Sequence, residues 1–131
     1  METILQQART LIYTTAPPPA LAAAILKALA IMQQEQWRRD KLRELVAYWR
    51  SQAQERGLPL FDSRTAIQPL MIGANDKTAA VSNALLERGL LVSAIRPPTV
   101  REGSARLRIT LTAAHEKADI DRLITVLTAV L

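Results

Sequence analysis

The chain has 131 residues, of which 49% are hydrophobic, and it carries a formal net charge of +5 and no cysteine. This length fits one domain of ordinary size, and the lack of cysteine excludes disulfides, thiolate nucleophiles and thiolate metal sites. Because the basic residues are dispersed and aromatic residues make up only 4% of the chain, the composition disfavours nucleic-acid binding.

The longest apolar stretch, Ala16–Met32, contains three prolines and Lys27. It is too short and too interrupted to cross a bilayer. The opening Met1-Glu2 is acidic and does not have the basic start of a signal peptide. We therefore expect a cytoplasmic protein that binds neither a membrane nor nucleic acid.

The N-terminal part of the sequence is predicted to be helical. Residues 2–11 have the period of a short helix. Its apolar face comprises Ile4, Ala8 and Leu11. The prolines Pro17–Pro19 mark the start of a second helix, because proline is tolerated in the first turn and not deeper.

This second helix is predicted to be long, running from Ala20 to about Gly57 with a bend near Trp37. Strong helix formers begin at Ala20, and the second half carries an amphipathic stripe. The stripe comprises Leu42, Leu45, Val46, Trp49 and Ala53. Gly57 and Pro59 end the helix.

Beyond Pro59 the period of the pattern changes. Thr65–Ile72 is predicted to be a strand that ends at Gly73, and Asn75 is predicted to cap the helix that follows. The apolar positions of that helix are Ala79, Val81, Leu85 and Leu86. Gly89 ends it.

Two more strands and a helix complete the chain. Leu90–Ile95 is a strand interrupted by Pro97-Pro98, and Gly103 lies in a turn. Arg106–Leu111 alternates basic and apolar residues, as half-buried strands do. The last helix has the stripe Ile120, Leu123, Ile124, Leu127 and Leu131. This order predicts an α+β fold: a small, mostly antiparallel sheet of about three to four strands, covered on one face by helices and preceded by the long helix.

His115 is the single histidine, so a zinc site, which needs several Cys or His ligands, is excluded. It lies just before the last helix, where a capping or solvent-facing role is favoured over catalysis. The sequence contains no glycine-rich loop of the kind that binds nucleotides.

Basic and hydroxyl side chains near the strand ends indicate an anion site. Arg96 and Thr99 follow the second strand, whereas Arg106 and Arg108 are two apart in a strand and share a face. A guanidinium offers forked donors that suit a carboxylate or phosphate. The alternative, favoured by the residues alone, is a solvated sheet face with surface ion pairs.

Four runs of residues resemble one family. They are Ile12–Thr15 before the prolines, Thr65–Leu70, Ala94–Val100 and Ala105–Thr112. Their order and spacing resemble the C-terminal part of the α-oxoamine synthases, which are fold-type I pyridoxal-phosphate enzymes. The resemblance covers the chain from about Leu5 onward, and such long collinear agreement is more specific than a short motif.

Within this family, Ile95–Val100 resembles the branch that joins L-alanine to a pimeloyl thioester, on acyl carrier protein or coenzyme A, with loss of carbon dioxide in biotin biosynthesis. Members that make aminolevulinate or 2-amino-3-oxobutyrate tend to have an aromatic residue and a single proline there. The resemblance implies a homodimer that uses pyridoxal phosphate in the full-length enzyme.

The resemblance also implies roles for five residues. Arg108 matches the arginine that binds the amino acid's α-carboxylate, and Thr99 lines the same pocket. Arg96 either orients the acyl substrate or holds the strand–loop junction. Thr14 and Thr15 match a segment in which one hydroxyl contacts the cofactor phosphate of the neighbouring subunit, although they could instead cap the proline-led helix.

The sequence departs from the family pattern in two ways. Arg101 stands where the family usually has proline. The Schiff-base lysine, the ring-stacking histidine and the aspartate that pairs with the pyridine nitrogen lie upstream in the family. The lysines of this chain, Lys27, Lys41, Lys77 and Lys117, lie outside any matching motif.

We therefore expect a domain fragment that is inactive alone and binds no cofactor. Residues 1–36 would be a residual large-domain or interface segment with the start of the long helix, and 37–131 the α+β substrate-carboxylate domain. Met1 would be an added start. The alternatives are another α-oxoamine synthase, of the glycine C-acetyltransferase or aminolevulinate synthase type, or a non-catalytic interaction module.

Overall fold

The computed structural model describes residues 2–131, without the side chain of Leu11. The expectations for Met1 and for the face occupied by Leu11 therefore lie outside the described residues. The chain divides into two compact units, Met1–Gln36 and Trp37–Leu131.

The first unit is helical. Helix α1 spans Glu2–Gln7 and α2 spans Arg9–Ile12, so the predicted single helix over residues 2–11 is broken at Ala8. Helix α3 spans Pro19–Gln34. Its start at the prolines is confirmed, since a proline occupies its first turn, where the absent N–H costs no hydrogen bond.

Helix α3 leaves its apolar side chains uncovered, and none of its 16 residues is buried. The large hydrophobic residues that are exposed on α3 are Leu21, Ile25, Leu26, Leu29 and Met32. Continuous apolar surface of this kind marks a face that associates with other surfaces.

We expect the chain to self-associate through α3, because association removes these side chains from water. Sedimentation velocity over a concentration series should show species heavier than the monomer, and Leu26→Glu should shift the distribution towards the monomer. The matched control is Leu86→Glu on the second unit, where the side chain is 57% exposed. A strictly monomeric profile at high concentration would contradict the expectation.

The second unit begins with helix α4, Gln36–Glu55. The predicted long helix from Ala20 to about Gly57 is divided at Glu35, close to the bend predicted near Trp37, because Glu35 has ψ of 61° and leaves the helical region. No residue from Gln33 to Gln36 is buried. The predicted stripe of α4 is confirmed, with Leu45, Val46, Trp49 and Ala53 buried.

A three-stranded antiparallel sheet follows α4 and confirms the α+β fold. The remaining elements are β1 (Ile67–Gly73), α5 (Asn75–Glu87), β2 (Ser93–Ile95), β3 (Ala105–Thr110) and α6 (Lys117–Val130). The strand order is β1-β3-β2, so β3 is central. Strand β2 has three residues and not the predicted six, because Leu90–Val92 does not pair with β3.

Two expectations for α5 are wrong. Ala74 is the N-cap and makes no side-chain cap bond, whereas Asn75 is the first helical residue. The Asn75 side chain accepts a hydrogen bond from Arg96 instead, at 3.3 Å, and this tertiary contact replaces the local cap. Leu86 was predicted to lie on the apolar face of α5, but it is exposed. Val81 and Leu85 of the same predicted face are buried.

Helix α6 is fixed at its start by a reciprocal capping box. The Glu116 side chain accepts from the main chain of Asp119, and Asp119 Oδ2 accepts from the Glu116 N–H at 2.8 Å. The Tyr48 hydroxyl of α4 donates to Asp121 Oδ1 at 2.7 Å, which raises the pKa of Tyr48 because the bond favours its protonated form. The bond between Tyr48 and Asp121 joins α6 to α4.

The core of this unit lies between the sheet and its helices. Strand β3 alternates as predicted, since Leu107 and Ile109 are buried while Arg108 and Thr110 are exposed. The buried residues of α6 are Ile120, Leu123, Ile124 and Leu127. They form one cluster with the stripe of α4 and with β3.

Removing the central side chain of this core should destabilise the chain. Leu107 is fully buried, so Leu107→Ala should lower the free energy of unfolding by about 2–5 kcal/mol through lost burial and the cavity left behind. Urea unfolding followed by circular dichroism measures the change. Leu91→Ala, the same substitution at a position 87% exposed, should change it by less than about 0.5 kcal/mol. Equal effects would contradict the proposed core.

Candidate functional site

Arg108 projects from the face of the sheet opposite the core. It lies in central strand β3 between two buried residues and is exposed. Among the residues that the structure describes, it makes no hydrogen bond or ion pair. Its guanidinium can therefore offer its full set of donors to an anion.

Arg106 shares this face, as predicted, but its guanidinium is already engaged. Its Nε donates to the carbonyl of Ser104 at 3.0 Å. The guanidinium carbon lies 5.7 Å from the centre of the Phe61 ring, a cation–π contact. The Arg106 guanidinium is therefore occupied by contacts within the chain, whereas the Arg108 guanidinium is available to bind an anion.

The cross-strand neighbours of Arg108 carry no charge. Ser93 of β2 and Pro69 of β1 pair with it on either side. Directly opposed side chains in a sheet lie close enough to contact one ligand, so the Ser93 hydroxyl could donate to an anion held by Arg108. Sequence reasoning missed Ser93, because its place depends on the register of β2 on β3.

Arg96 and Thr99 are brought together by a turn. The Thr99 N–H donates to the Arg96 carbonyl at 3.0 Å across the two intervening prolines. The Arg96 side chain donates to Asn75 Oδ1 at the start of α5. This contact favours the role of holding the strand–loop junction, which was one of the two roles predicted for it.

The register separates this turn from Arg108 along the sheet. Arg108 pairs with Ser93, and Arg96 lies three residues further along, which corresponds to roughly 10 Å of strand. An extended ligand could reach both positions. That Arg108, Arg96 and Thr99 line one pocket stays a prediction.

Two surface cavities of the second unit involve other residues. One, of about 310 Å³, is bounded by the segment 89–92, the end of β3 and the start of α6. The other, of about 230 Å³, is lined by Arg39, Leu42, Arg43, Val46, Arg64, Thr65 and Ala66. Neither of these two cavities is lined by Arg108, Arg96 or Thr99.

Thr14 and Thr15 lie in the first unit, between α2 and α3, and both are exposed. The Thr14 hydroxyl donates to the Thr10 carbonyl, so it satisfies the end of α2. The idea that these threonines cap the proline-led helix is wrong, because Pro18 is the N-cap of α3 and no side chain caps it. The Thr15 hydroxyl has no partner among the described residues.

Three of the four lysines have contacts of their own. Lys41 pairs with Glu116, Lys77 Nζ donates to the carbonyl of Leu131 at 3.3 Å, and Lys117 lies 5.2 Å from the Tyr48 ring centre. Lys27 is exposed on α3. None of these contacts places a lysine beside Arg108.

His115 is used to hold the loop before α6. Its Nδ1 accepts from the Thr112 N–H at 3.0 Å. Within residues 2–131, as far as they are described, no three His, Cys, Asp or Glu side chains lie together in a way that could hold a metal ion. No described helix is both long enough and apolar enough to cross a membrane.

Residues 1–127 match the family model of aminotransferase class I and II. The chain belongs to this family. The family fits the sheet and helix order described above, and the resemblance to fold-type I pyridoxal-phosphate enzymes is thereby confirmed.

Similar proteins refine this assignment. The chain is 56% identical over 131 residues to 8-amino-7-oxononanoate synthase of Nitrosococcus oceani, covering 100% of this chain and 35% of that protein. It is 54% identical over 127 residues to the protein of the same name from Alcanivorax borkumensis, covering 97% and 33%. The chain thus spans about a third of the length of these curated relatives.

Solved structures show the same fold. An 8-amino-7-oxononanoate synthase from Francisella tularensis matches with a TM-score of 0.83 at 24% identity, covering 98% of this chain and 37% of that one. Sphingomonas wittichii serine palmitoyltransferase matches with a TM-score of 0.88 at 21% identity, covering 98% and 33%. The topology of β1, β3 and β2 with their helices is therefore that of this group of enzymes.

Proposed function

We propose that this chain is the C-terminal third of an 8-amino-7-oxononanoate synthase, a pyridoxal-phosphate-dependent acyltransferase of biotin biosynthesis. The full-length enzyme would condense L-alanine with a pimeloyl thioester, on acyl carrier protein or coenzyme A, with decarboxylation. The observation that carries the proposal is 56% identity over all 131 residues to a relative of that name. The cytoplasmic location and the homodimer belong to the same proposal.

In this proposal Arg108 binds the α-carboxylate of alanine. Its exposure and its lack of a partner among the described residues support this role. A bidentate pair between guanidinium and carboxylate fixes the orientation of the amino acid. That orientation determines which bond at Cα is aligned for cleavage. Ser93 and Thr99 would add hydroxyl donors near the same substrate.

Pyridoxal phosphate, when bound, supplies the electron-withdrawing ring that makes cleavage at Cα possible. Of the two threonines assigned to the neighbouring subunit's cofactor phosphate, Thr15 is the better donor. A hydroxyl has one proton to donate, and Thr14 already donates its proton to the Thr10 carbonyl. Thr15 is exposed and can donate to a phosphate oxygen without adding charge.

The chain by itself would not perform the reaction. Lys41, Lys77 and Lys117 are engaged in other contacts, and Lys27 lies exposed on α3. Borohydride reduction of the chain mixed with pyridoxal phosphate should therefore leave no adduct at a single defined lysine. A specific reduced adduct would contradict this part of the proposal.

A chimera tests the assignment directly. The upstream two-thirds of the Nitrosococcus oceani relative, joined to this chain, should form 8-amino-7-oxononanoate from L-alanine and a pimeloyl thioester. In the chimera, Arg108→Gln should lower kcat/KM for L-alanine by about 100-fold, since the charged fork that binds the carboxylate is lost. The KM for the pimeloyl thioester should stay the same.

The matched control is Arg101→Gln, which removes the same charge at another exposed position and should leave kcat/KM unchanged. A folded chimera that makes no product would count against the proposed function. An active chimera in which Arg108→Gln equals the parent would remove Arg108 from the site and leave the function standing.

A further inference from the structure

The larger surface cavity forms where β2 and β3 separate. Ser93 is the first residue of β2 that pairs with β3, and the preceding segment 90–92 does not pair with the sheet. The Val92 carbonyl accepts a hydrogen bond from the Ser82 hydroxyl of α5 at 2.7 Å. This bond holds the segment on α5, so a gap of about 310 Å³ stays open beside the end of β3.

Main-chain groups of β3 are left open at this gap. The Leu111 N–H donates to Ala66 on the β1 side at 2.9 Å. Because main-chain groups alternate sides along a strand, Thr110 directs its N–H and C=O towards the β2 side. No residue of the described segment 90–92 pairs with them, so the cavity presents one donor and one acceptor from the main chain.

Arg122 of α6 supplies a fixed positive charge at the wall of the cavity. Its Nη2 donates to the Arg88 carbonyl at 2.6 Å. The Arg122 side chain passes close to Gly89, whose φ is +75°. A Cβ at this position would lie 3.2 Å from Arg122 Nη2. This bond anchors the guanidinium, and its other N–H groups have no partner among the described residues. A long side chain held in this way loses little further entropy on binding an anion.

The rest of the lining is apolar apart from His115 and Asp119. Because His115 Nδ1 accepts from the Thr112 N–H, the neutral ring carries its proton on Nε2 and is a second donor. One carboxylate oxygen of Asp119, Oδ2, accepts from the Glu116 N–H in the capping box. The apolar wall comprises Leu90, Val92, Ile109, Leu111, Ile120 and Leu123.

We propose that this cavity binds a small organic anion with an apolar body, such as a medium-chain carboxylate. The carboxylate contacts Arg122, with His115 and the Thr110 main chain as further polar groups, and the hydrocarbon lies along the apolar wall. The volume falls at the lower end of the range of small-molecule sites, which combine apolar walls with a few placed polar groups. The site does not depend on the proposed synthase function, and Arg108 projects from the opposite face of the sheet.

Octanoate is the probe, and 1-octanol, which has the same chain without the charge, is its control. Titration of the 131-residue chain followed by amide NMR should show saturable shifts at residues 89–92, 109–111 and 115–123. Arg122→Gln should weaken octanoate binding about tenfold, because a charge-assisted contact is lost. Arg101→Gln, an equal change of net charge at another exposed position, should leave the affinity unchanged.

A second variant leaves Arg122 and its hydrogen bond to the Arg88 carbonyl unchanged. Leu91 lies at the cavity and is 87% exposed, so Leu91→Glu should leave the fold intact and repel the carboxylate. Octanoate can also adsorb to the exposed leucines of α3, and that binding would be equal for both ligands and insensitive to either variant. Binding of that kind, or no saturable shifts at the named residues, would overturn the proposal.

Discussion

The alternation of side chains along central strand β3 governs both the core and the candidate site. Leu107 and Ile109 must face the helices, because both belong to the buried apolar cluster that the helices share. Successive residues point to opposite faces, so Arg106 and Arg108 are presented on the other side. A slip of one residue would bury two guanidiniums and expose the core. The packing of the core and the exposure of the arginines on the other face therefore depend on the same strand register.

Elements with a strong period could be predicted from the sequence, because burial of one face determines their form. The stripes of α4 and α6 and the alternation of β3 are examples, and all three bury the predicted face apart from Leu131, which follows the last residue of α6 and is exposed. For the break at Glu35, the sequence predicted only a bend near Trp37. The break lies in a polar run in which no residue is buried, so the periodic pattern carries no information on where the helix stops.

Details that depend on contacts distant in sequence were also missed. Asn75 has the right residue type for a cap, but Arg96, 21 residues away, binds its side chain instead. Leu85 and Leu86 are adjacent and equally apolar, and the position of α5 on the sheet buries one and leaves the other exposed. Helix propensity cannot distinguish such pairs.

The candidate site was only partly predictable for the same reason. The residues alone allowed an anion site among the arginines but favoured a solvated sheet face, and the family resemblance gave Arg108 its specific role. Its neighbour Ser93 became visible only with the register of β2 on β3, since a hydroxyl on a short edge strand carries no signal of its own. The opening beside Thr110 likewise follows from where β2 stops pairing.

The two tryptophans of α4 lie in opposite environments. Trp49 is fully buried in the core. Trp37 is 53% exposed, with the Arg38 guanidinium 4.6 Å from its ring centre. A buried indole emits at shorter wavelengths than a hydrated one, so the emission spectrum is a sum of two distinguishable signals. The fluorescence of α4 therefore reports on two regions. Loss of the short-wavelength component would accompany disruption of the core around Trp49, whereas Trp37 reports on the partly exposed start of α4.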